Sequence, residues 1–460
     1  WLRSGHRLPY IVAFVCLLIS FVGINLVANN TLRRFQADFT QDKLFTLTDS
    51  TVQVLQNLPE PVIAKLYYSP ILGQRNPDVR LMFDNIRLLL KRYAAMSNGN
   101  FDYRIYNPEP FSDAEDQALN AGLQPLPIID TNINAYLGLT FTDETEKQTV
   151  IPYFPLQRMN FIEQDLTTKL YLLNHVKPEV GIITSLPMFE EIRDNLTTPL
   201  WAIIEQLREF YDLKIIDDKY TGLQQFKAII IAHPQKLSPQ LELLIAEYTR
   251  KGGKILAFFD IASEASALTA PVHDVFKPSD FGSLPQLWGI KFHAENVIAD
   301  MDNSTTIDAT TNYRTNPLFT QDLIQFYLQG KNFNPDFKAT KMLKKMMLTT
   351  AADITPLDNA PIYFFPLLQA SDNSALLSSD VFYQNTPPAE ILRNFHKDGK
   401  TKVIAARIIS KNHSAPFELI AVGDSDLLYD NFWASHQTIL ERNYTIPLLD
   451  NANFVLNALD

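Results

Sequence analysis

An uncharged apolar run near the start of the chain constrains its possible folds more than any other feature. Residues 10–28 form 19 consecutive positions without a charged side chain, and nothing later in the 460 residues matches them. A helix rises about 1.5 Å per residue, so this run spans a hydrocarbon core about 30 Å thick. The sequence predicts a transmembrane anchor over residues 1–30, with these anchor residues: Tyr10, Phe14, Leu17, Phe21 and Ala28.

Two other interpretations compete with the anchor. A secretory signal peptide has an apolar core of about 7–15 residues and a small-residue cleavage site, which Leu26, Val27 and Ala28 match poorly. A core helix of a soluble domain usually shows a polar face, which this run lacks. Basic residues flank the run on both sides, so the charge bias is nearly balanced. We expect one N-terminal anchor in a bacterial inner membrane, with the bulk of the chain in the periplasm.

Charge and cysteine content exclude several classes of function. The formal net charge of −11 argues against a nucleic-acid surface and against a polybasic lipid-binding patch. The single cysteine, Cys16, lies in the apolar run, so the rest of the chain has no disulfide, thiolate zinc site or cysteine nucleophile.

The motif Gly252, Gly253, Lys254 follows a predicted helix and precedes a strand, which is the wrong context for a P-loop. No cofactor is predicted.

Residues 31–175 have the pattern of a first α/β domain. Thr48 is a helix N-cap residue, and apolar residues recur at helical spacing behind it. The segments that read as strands, helices and a hairpin are, in order, 62–68 (strand), 82–93 (helix), 101–106 (strand), 136–153 (hairpin) and 161–173 (helix). The order β-α-β with short connections predicts a small sheet with helices packed on it.

Residues 176–460 follow a different pattern, with uninterrupted apolar strands between helices. The predicted strands are 180–184, 213–216, 228–232, 254–259 and 417–422, and the helices are 199–210, 239–251 and 453–459. Such strands indicate a parallel sheet covered on both faces, so the fold class is α/β with a doubly wound, flavodoxin-like second domain. Residues 270–400 are predicted to be an insertion into this domain. Within it, 302–316 reads as a polar loop and 339–349 as a basic, Met-rich surface segment.

Several short motifs occur in a fixed order along the chain. They are DFTQDKLFTLT (38–48), YLGL (136–139) with VIPY (150–153) and EQDLT (163–167), PEVGIIT (178–184), AHP (232–234) with YTRKGGKIL (248–256), and VGDSDL (422–427) with NFVLNAL (453–459). Taken together, the motifs resemble the gliding-motility-type (GldG-like) auxiliary components of ABC-2-type transporters. The second domain also resembles the sugar-binding or amidotransferase-like modules of the GIFT group. This resemblance implies an ABC-2-type permease and an ABC ATPase as partner subunits.

Polar residues follow the predicted parallel strands and mark an edge where a ligand would bind. These residues are Ser185, His233, Asp260, Asp424 and Asp426. Ligands of open α/β sheets bind at the carboxyl ends of the strands. Ser185 with His233 raises the possibility of a serine triad, although the Gly-x-Ser-x-Gly elbow is missing. The three aspartates raise the alternatives of a divalent metal site or an acid–base pair, but turn formation is the favoured interpretation, because Asp bonds its own backbone after a strand.

The sequence therefore predicts a non-enzymatic, membrane-anchored auxiliary subunit of a transporter. The alternative is a membrane-tethered glycan- or sugar-binding module, in which Trp201, Trp288 or Trp433 stacks on sugar rings. A hydrolase that uses the carboxylates is a third hypothesis. No motif in the sequence identifies the transported substrate.

Overall fold

The computed structural model describes residues 47–128, 131, 133–193, 196–267, 277–309, 318–412, 416–439 and 442–459 of a mixed α/β protein. The predicted anchor over residues 10–28 lies outside these residues. Within them, no helix combines the length and the apolar character needed to cross a membrane. The chain divides between His175 and Val176 into two compact units.

The first unit is a four-stranded sheet with helices packed against it. Its helices are α1 (Asp49–Gln56), α2 (Pro70–Arg75), α3 (Pro77–Met96), α4 (Asp113–Asn120) and α5 (Ile162–Asn174), with a 3₁₀ turn at Leu156–Phe161. Its strands are β1 (Val62–Tyr68), β2 (Phe101–Tyr106), the short pair β3 (Leu126–Pro127) and β4 (Asn134–Ala135), β5 (Leu137–Asp143) and β6 (Gln148–Ile151). The sheet order is β2-β1-β5-β6, with β1 and β2 parallel and the other pairs antiparallel.

The predicted elements of this unit are confirmed. Thr48 caps α1, because its side chain accepts a hydrogen bond from the backbone N–H of Thr51. Asn76 caps α3 in the same way, with Pro77 at the first helical position, where a missing N–H costs nothing. The hairpin turn between β5 and β6 is held by Asp143, whose Oδ1 accepts from the backbone N–H groups of Thr145 and Lys147, both at 2.9 Å. Local turn and cap chemistry was therefore readable from the sequence.

Two of the sequence motifs meet in this unit. Oε1 of Glu163 on α5 accepts three hydrogen bonds, from the backbone N–H of Thr48 at 2.7 Å and from the hydroxyls of Thr48 and Thr51 at 2.9 and 2.7 Å. Thr167, one turn further along α5, contacts the hydroxyl of Thr51 at 2.9 Å and that of Tyr93 at 2.6 Å. This network ties the first described helix to α5. It gives residues 47–51 a fixed position in the unit.

The second unit is built on a seven-stranded sheet in the order β10-β7-β11-β12-β22-β21-β19. These strands are β7 (Glu179–Thr184), β10 (Asp212–Ile215), β11 (Ala228–Ala232), β12 (Lys254–Phe258), β19 (Ile362–Gln369), β21 (Val403–Ser410) and β22 (Glu418–Val422). The first five strands in the sheet order are parallel, β21 is antiparallel to β22, and the edge strand β19 is antiparallel to β21. The prediction that residues 417–422 return to the parallel sheet is confirmed, since β22 pairs with β12.

Helices cover both faces of this sheet, as the uninterrupted apolar strands require. The helices of the unit are α6 (Ala202–Phe210), α7 (Pro239–Arg250), α8 (Glu264–Ala267), α9 (Leu284–Leu287), α10 (Lys338–Lys341), α11 (Asp380–Tyr383), α12 (Pro388–Asn394) and α13 (Asn451–Leu459). One face packs on α6 and α13 and the other on α7 and α9. Every residue of β11 is buried, which is typical of a central parallel strand.

Residues between β12 and β21 form further small sheets. Their strands are β13 (Ile290–Phe292), β14 (Asn296–Asp300), β15 (Ser304–Asp308), β16 (Phe319–Gln329), β17 (Lys345–Thr349), β18 (Ile354–Pro356) and β20 (Ser374–Ser378). They pair as β13-β18, β14-β20 and β15-β16-β17, all antiparallel. A β8-β9 hairpin (Glu191–Arg193 with Leu196–Thr198) and a β23-β24 hairpin (Ala434–Ile439 with Arg442–Pro447) complete the unit.

Two predictions for this region are wrong. The expected loop at 302–316 contains β15, because Thr305, Thr306 and Ile307 are β-branched and pair with β16. The expected surface segment at 339–349 ends in β17, whose Met346 and Leu348 are fully buried. The lysines of this segment suggested a solvated surface, so the buried positions two residues apart were not recognised as a strand pattern. The predicted insertion at 270–400 also supplies β19, which is the edge strand of the main sheet.

Candidate functional site

All five predicted site residues follow parallel strands and lie at the carboxyl edge of the main sheet. Ser185 follows β7, His233 follows β11, Asp260 follows β12, and Asp424 and Asp426 follow β22. His233 and the three aspartates have no solvent-exposed surface, whereas Ser185 is exposed. The edge that the sequence indicated therefore exists, but most of its polar groups are closed to solvent.

Each aspartate accepts hydrogen bonds from the protein itself. Oδ1 of Asp426 accepts from the Ser263 hydroxyl at 2.8 Å and from the Ala265 N–H at 3.1 Å, and Oδ2 accepts from the Glu264 N–H at 2.7 Å. These are first-turn donors of α8, so a carboxylate 161 to 162 residues away along the chain caps this helix. Asp426 therefore fixes the loop between β12 and α8.

Asp260 and Asp424 connect the same edge to neighbouring segments. Oδ2 of Asp260 accepts from the backbone N–H and the hydroxyl of Ser425, at 2.9 and 2.7 Å. Asp424 accepts from the backbone N–H of Thr349 at the end of β17 at 2.9 Å, and from that of Leu427 at 3.1 Å. The loops after β12, β17 and β22 are thus held together by three carboxylates. We call these three residues the aspartate cluster.

A glycine allows these loops to come together. A Cβ atom at Gly423 would lie 2.3 Å from the backbone oxygen of Ala352, which is closer than any side chain tolerates. The Ala352 N–H donates to the Gly423 oxygen at 2.7 Å across this approach. Thr350 stands beside it with φ of +57°, an unusual conformation for a β-branched residue. Its hydroxyl donates to Oδ1 of Asp260 at 3.3 Å, which ties the strained residue to the aspartate cluster.

Two members of the aspartate cluster have perturbed pKa values. Burial raises the pKa of Asp424 and of Asp426 well above the usual range of an aspartate, and the charge of Asp260 raises both further. Burial also raises the pKa of Glu264, whose Oε1 accepts from the Thr349 hydroxyl at 3.1 Å. The backbone N–H groups that point at these oxygens act in the opposite direction and stabilise the ionised form. The three aspartates thus share a desolvated volume, and the exposed Glu264 lies beside it.

His233 and Ser185 do not form a catalytic pair. Nδ1 of His233 contacts the Ser279 hydroxyl at 2.8 Å, and Nε2 contacts the side-chain nitrogen of Gln235 at 2.7 Å. The hydroxyl of Ser185 instead accepts from the Gln235 backbone N–H at 3.0 Å. Burial lowers the pKa of His233, although the charge of Asp260 opposes the shift, so the imidazole is neutral at physiological pH. The nucleophile–base contact that a serine triad needs is not made here.

The hydrogen bonds of the aspartate cluster give these residues a structural role. In the part of the chain that the structure describes, no three His, Cys, Asp or Glu side chains are arranged to hold a metal ion. The carboxylate oxygens that a cation would take as ligands accept hydrogen bonds from N–H and O–H groups. The aspartate cluster therefore acts as a set of turn and cap residues in the fold that we describe.

The three tryptophans that the glycan-binding hypothesis takes as sugar-stacking residues lie in the hydrophobic core. Trp201, Trp288 and Trp433 expose 4%, 0% and 1% of their surface. The indole N–H of Trp288 donates to the Thr249 hydroxyl at 3.3 Å, and that of Trp433 to the Leu428 oxygen at 3.4 Å. Their ring faces are thus unavailable for stacking on a sugar. The suggestion that they form a sugar platform is wrong.

Sequence reasoning missed the partners of the aspartate cluster. Ser263 carried a usable signal, since a serine followed by Glu264 and Ala265 is a typical helix start. Thr349 and Thr350 carried none, because they lie about 75 to 90 residues from the aspartates they contact. Asp430 was also missed. Its two carboxylate oxygens accept from the backbone N–H of Ala202 at the start of α6, at 3.0 and 2.8 Å.

Comparisons with known proteins identify a family for the second unit. A family model described as "ABC-type uncharacterized transport system" matches residues 177–458, and a model of a domain of unknown function matches residues 41–142. No curated protein matches the chain significantly.

The solved structures that resemble this chain are remote. The mmIFT52 N-terminal domain has 12% identity, and the alignment covers 61% of this chain and 94% of that domain with a TM-score of 0.33. A putative ThuA-like protein from Bacteroides uniformis has 12% identity over 62% of this chain and 92% of its own, with a TM-score of 0.30. A β-galactosidase from Bacillus circulans has 9% identity over 74% of this chain and 39% of its own, with a TM-score of 0.25. At such TM-scores, neither fold nor function transfers to this chain.

We expect divalent metals to leave the stability of the protein unchanged. The oxygens of the aspartate cluster already accept internal hydrogen bonds, so calorimetry should give the same Tm with excess Ca²⁺, with excess Mg²⁺ and after EDTA treatment. The variant Asp358→Asn, at an exposed position, is the control for loss of one charge. A Ca²⁺-dependent rise in Tm that disappears in both Asp424→Asn and Asp426→Asn would overturn the structural role.

Asp430 should make stability depend on pH between about 4 and 6. Burial raises its pKa from 3.8 to about 6. In that interval the folded state holds a proton that the unfolded state has released, so the free energy of unfolding falls as the pH rises. Asn does not titrate, so the stability of the wild-type protein relative to Asp430→Asn should fall by about 2–3 kcal/mol across this interval. Denaturant unfolding at a series of pH values measures this difference, and a flat difference contradicts the burial of the carboxyl.

Proposed function

Because the chain belongs to the family of ABC-type uncharacterized transport systems, we propose that it is a non-enzymatic auxiliary subunit of an ABC-2-type transporter. The observation that carries this proposal is the family match over residues 177–458, which spans nearly all of the second unit. An auxiliary subunit needs a stable body that other subunits recognise. It does not need a reaction centre of its own.

The chemistry of the carboxyl edge supports a role without catalysis. The aspartate cluster caps a helix and fixes loops, and the hydroxyl of Ser185 accepts a hydrogen bond from the backbone N–H of Gln235 rather than contacting His233. The energy for transport would then come from an ATPase partner, and the path through the membrane from a multi-span permease partner. Both partners remain part of the proposal.

The finer family assignment is also a proposal. The parallel strands β7, β10, β11, β12 and β22, numbered in chain order, lie in the sheet in the order 2-1-3-4-5. That order is the one found in flavodoxin-like folds, and it supports a flavodoxin-like, GIFT-related second domain. The ordered motifs support a gliding-motility-type auxiliary component. One of them includes Thr48 and another Glu163, which contact each other in the first unit.

We propose that residues 10–28 anchor the protein beside the permease in a bacterial inner membrane, with the body in the periplasm. The support for the anchor is the uncharged length of the run, which matches the thickness of a hydrocarbon core. Helix contacts within the bilayer would depend on packing rather than on the hydrophobic effect. The glycan-binding alternative has no specific observation in its favour, since its tryptophans are buried.

Purification of the full chain from its native membrane in a mild detergent tests the proposal. We expect it to co-purify with one multi-span membrane protein and one P-loop ATPase, identified by mass spectrometry, and the complex to hydrolyse ATP. A matched variant carries aspartate in place of Phe14, Leu17 and Phe21. It should leave the membrane fraction and lose both partners, because charge in the bilayer centre is costly. Recovery of the full chain alone, without permease or ATPase, would contradict the proposal.

A further inference from the structure

A pocket opens at the amino edge of the main sheet, opposite to the edge that carries the aspartate cluster. It lies where three parallel strands begin, at Ala228 of β11, Lys254 of β12 and Glu418 of β22, and its volume is about 260 Å³. The last turn of α13 (residues 457–459) forms one wall, and residues 337–339 at the start of α10 form another. None of the five carboxyl-edge residues lines it. We call it the amino-edge pocket.

The floor of the amino-edge pocket is apolar. Leu256, Leu367 and Ile420 reach it from three strands of the sheet, and Leu459 reaches it from α13. Ala339 and Ala458 lie in the two walls. Their side chains are single methyl groups, and a longer side chain at either position would fill the pocket. The space between the walls thus suits an apolar group of a few carbon atoms, such as a leucine-sized body.

The rim of the amino-edge pocket is positively charged, although the chain as a whole has a net charge of −11. Lys254, Lys338 and Arg407 line it together with a single carboxylate, Glu418. Two N–H groups of Arg407 donate to Oε1 of Glu418, both at 2.7 Å. Lys254 is exposed, and it forms no ion pair with any other residue in the described ranges. Its ammonium group is therefore available to an anion that enters the pocket.

The cationic rim is held in place by an aromatic contact. The guanidinium of Arg407 lies 5.9 Å from the centre of the Phe337 ring, in addition to its bonds with Glu418. A guanidinium has five N–H donors, and Glu418 uses two of them, so donors remain for a bound anion. An ordered Arg407 binds such an anion at a smaller entropic cost than a mobile side chain would.

We propose that the amino-edge pocket binds a carboxylate carried on a short apolar body. The carboxylate pairs with Lys254 at the rim, and the apolar body fills the floor between the strands and Ala458. A free branched-chain acid and the C-terminal residue of a peptide share this chemistry. The proposal does not depend on the transporter function, because it rests on the lining of the pocket alone.

Binding of 4-methylpentanoate to the full chain in detergent, followed by ligand-observed NMR, tests the proposal. This probe has a leucine-like body and stays in water rather than in micelles. Its neutral isostere 4-methylpentanamide should bind about tenfold more weakly, since it loses the charge-assisted contact with Lys254. The cation 3-methylbutylamine should bind more weakly still, because it meets the lysines of the rim.

Two variants locate the site. Lys254→Gln should weaken binding of 4-methylpentanoate about three- to tenfold, which is the usual effect of removing one charged partner. Lys236→Gln carries the same charge change at the opposite edge of the sheet and should leave binding unchanged. Ala458→Leu should fill the pocket and abolish binding while the protein stays folded, which circular dichroism verifies. If Ala458→Leu does not fold, the comparison of Lys254→Gln with its control Lys236→Gln still tests the proposal.

The tripeptide Gly-Gly-Leu and its C-terminal amide distinguish the two sources of the carboxylate. Stronger binding of the free tripeptide than of 4-methylpentanoate indicates a peptide terminus, and the reverse order indicates a small acid; both support the proposal. It is overturned if acid, amide and amine bind equally, if none of them binds, or if Lys254→Gln and Lys236→Gln have the same effect. Co-purification with a permease is an independent result, so failure of one proposal is distinguishable from failure of the other.

Discussion

Three carboxylates without access to water determine how the loops at the carboxyl edge of the main sheet are arranged. A buried carboxylate is costly unless hydrogen-bond donors surround it. The chain supplies these donors from the start of α8, from the end of β17 and from Ser425. The donors come from segments far apart in the sequence, so the aspartate cluster can form only when these segments have all reached their final positions. This requirement couples the small sheets between β12 and β21 to the parallel sheet.

The two edges of the same sheet differ in chemistry. At the carboxyl edge, acidic groups are closed off and bonded internally, and His233 is neutral and buried among polar partners. At the amino edge, a pocket with an apolar floor opens beneath lysines and an arginine. Open α/β sheets usually bind ligands at the carboxyl edge. In this chain the loops of that edge pack together, and an accessible pocket lies at the other end of the strands.

The sequence predicted the elements whose signals are local. Four of the five parallel strands contain uninterrupted apolar runs, and Thr48 marks a helix start that the structure confirms. Strand β17 was not predicted, because the lysines of residues 339–349 suggested a basic surface segment. The burial of Met346 and Leu348 was therefore not recognised from the sequence. The five site residues were found together at one edge, as expected from strand ends. Their partners were not found, because contacts such as Asp424 with Thr349 join distant parts of the chain.

Hydrogen exchange of the backbone amides at the carboxyl edge tests the central claim of a closed, structural aspartate cluster. The N–H groups of Glu264, Thr349 and Ser425 each donate to one of the three carboxylates. If the cluster is structural, these amides exchange only with global unfolding of the second unit, and added divalent cations or glycans leave their rates unchanged. Fast exchange in the free protein that slows when a cation or a glycan is added would show an open ligand site instead.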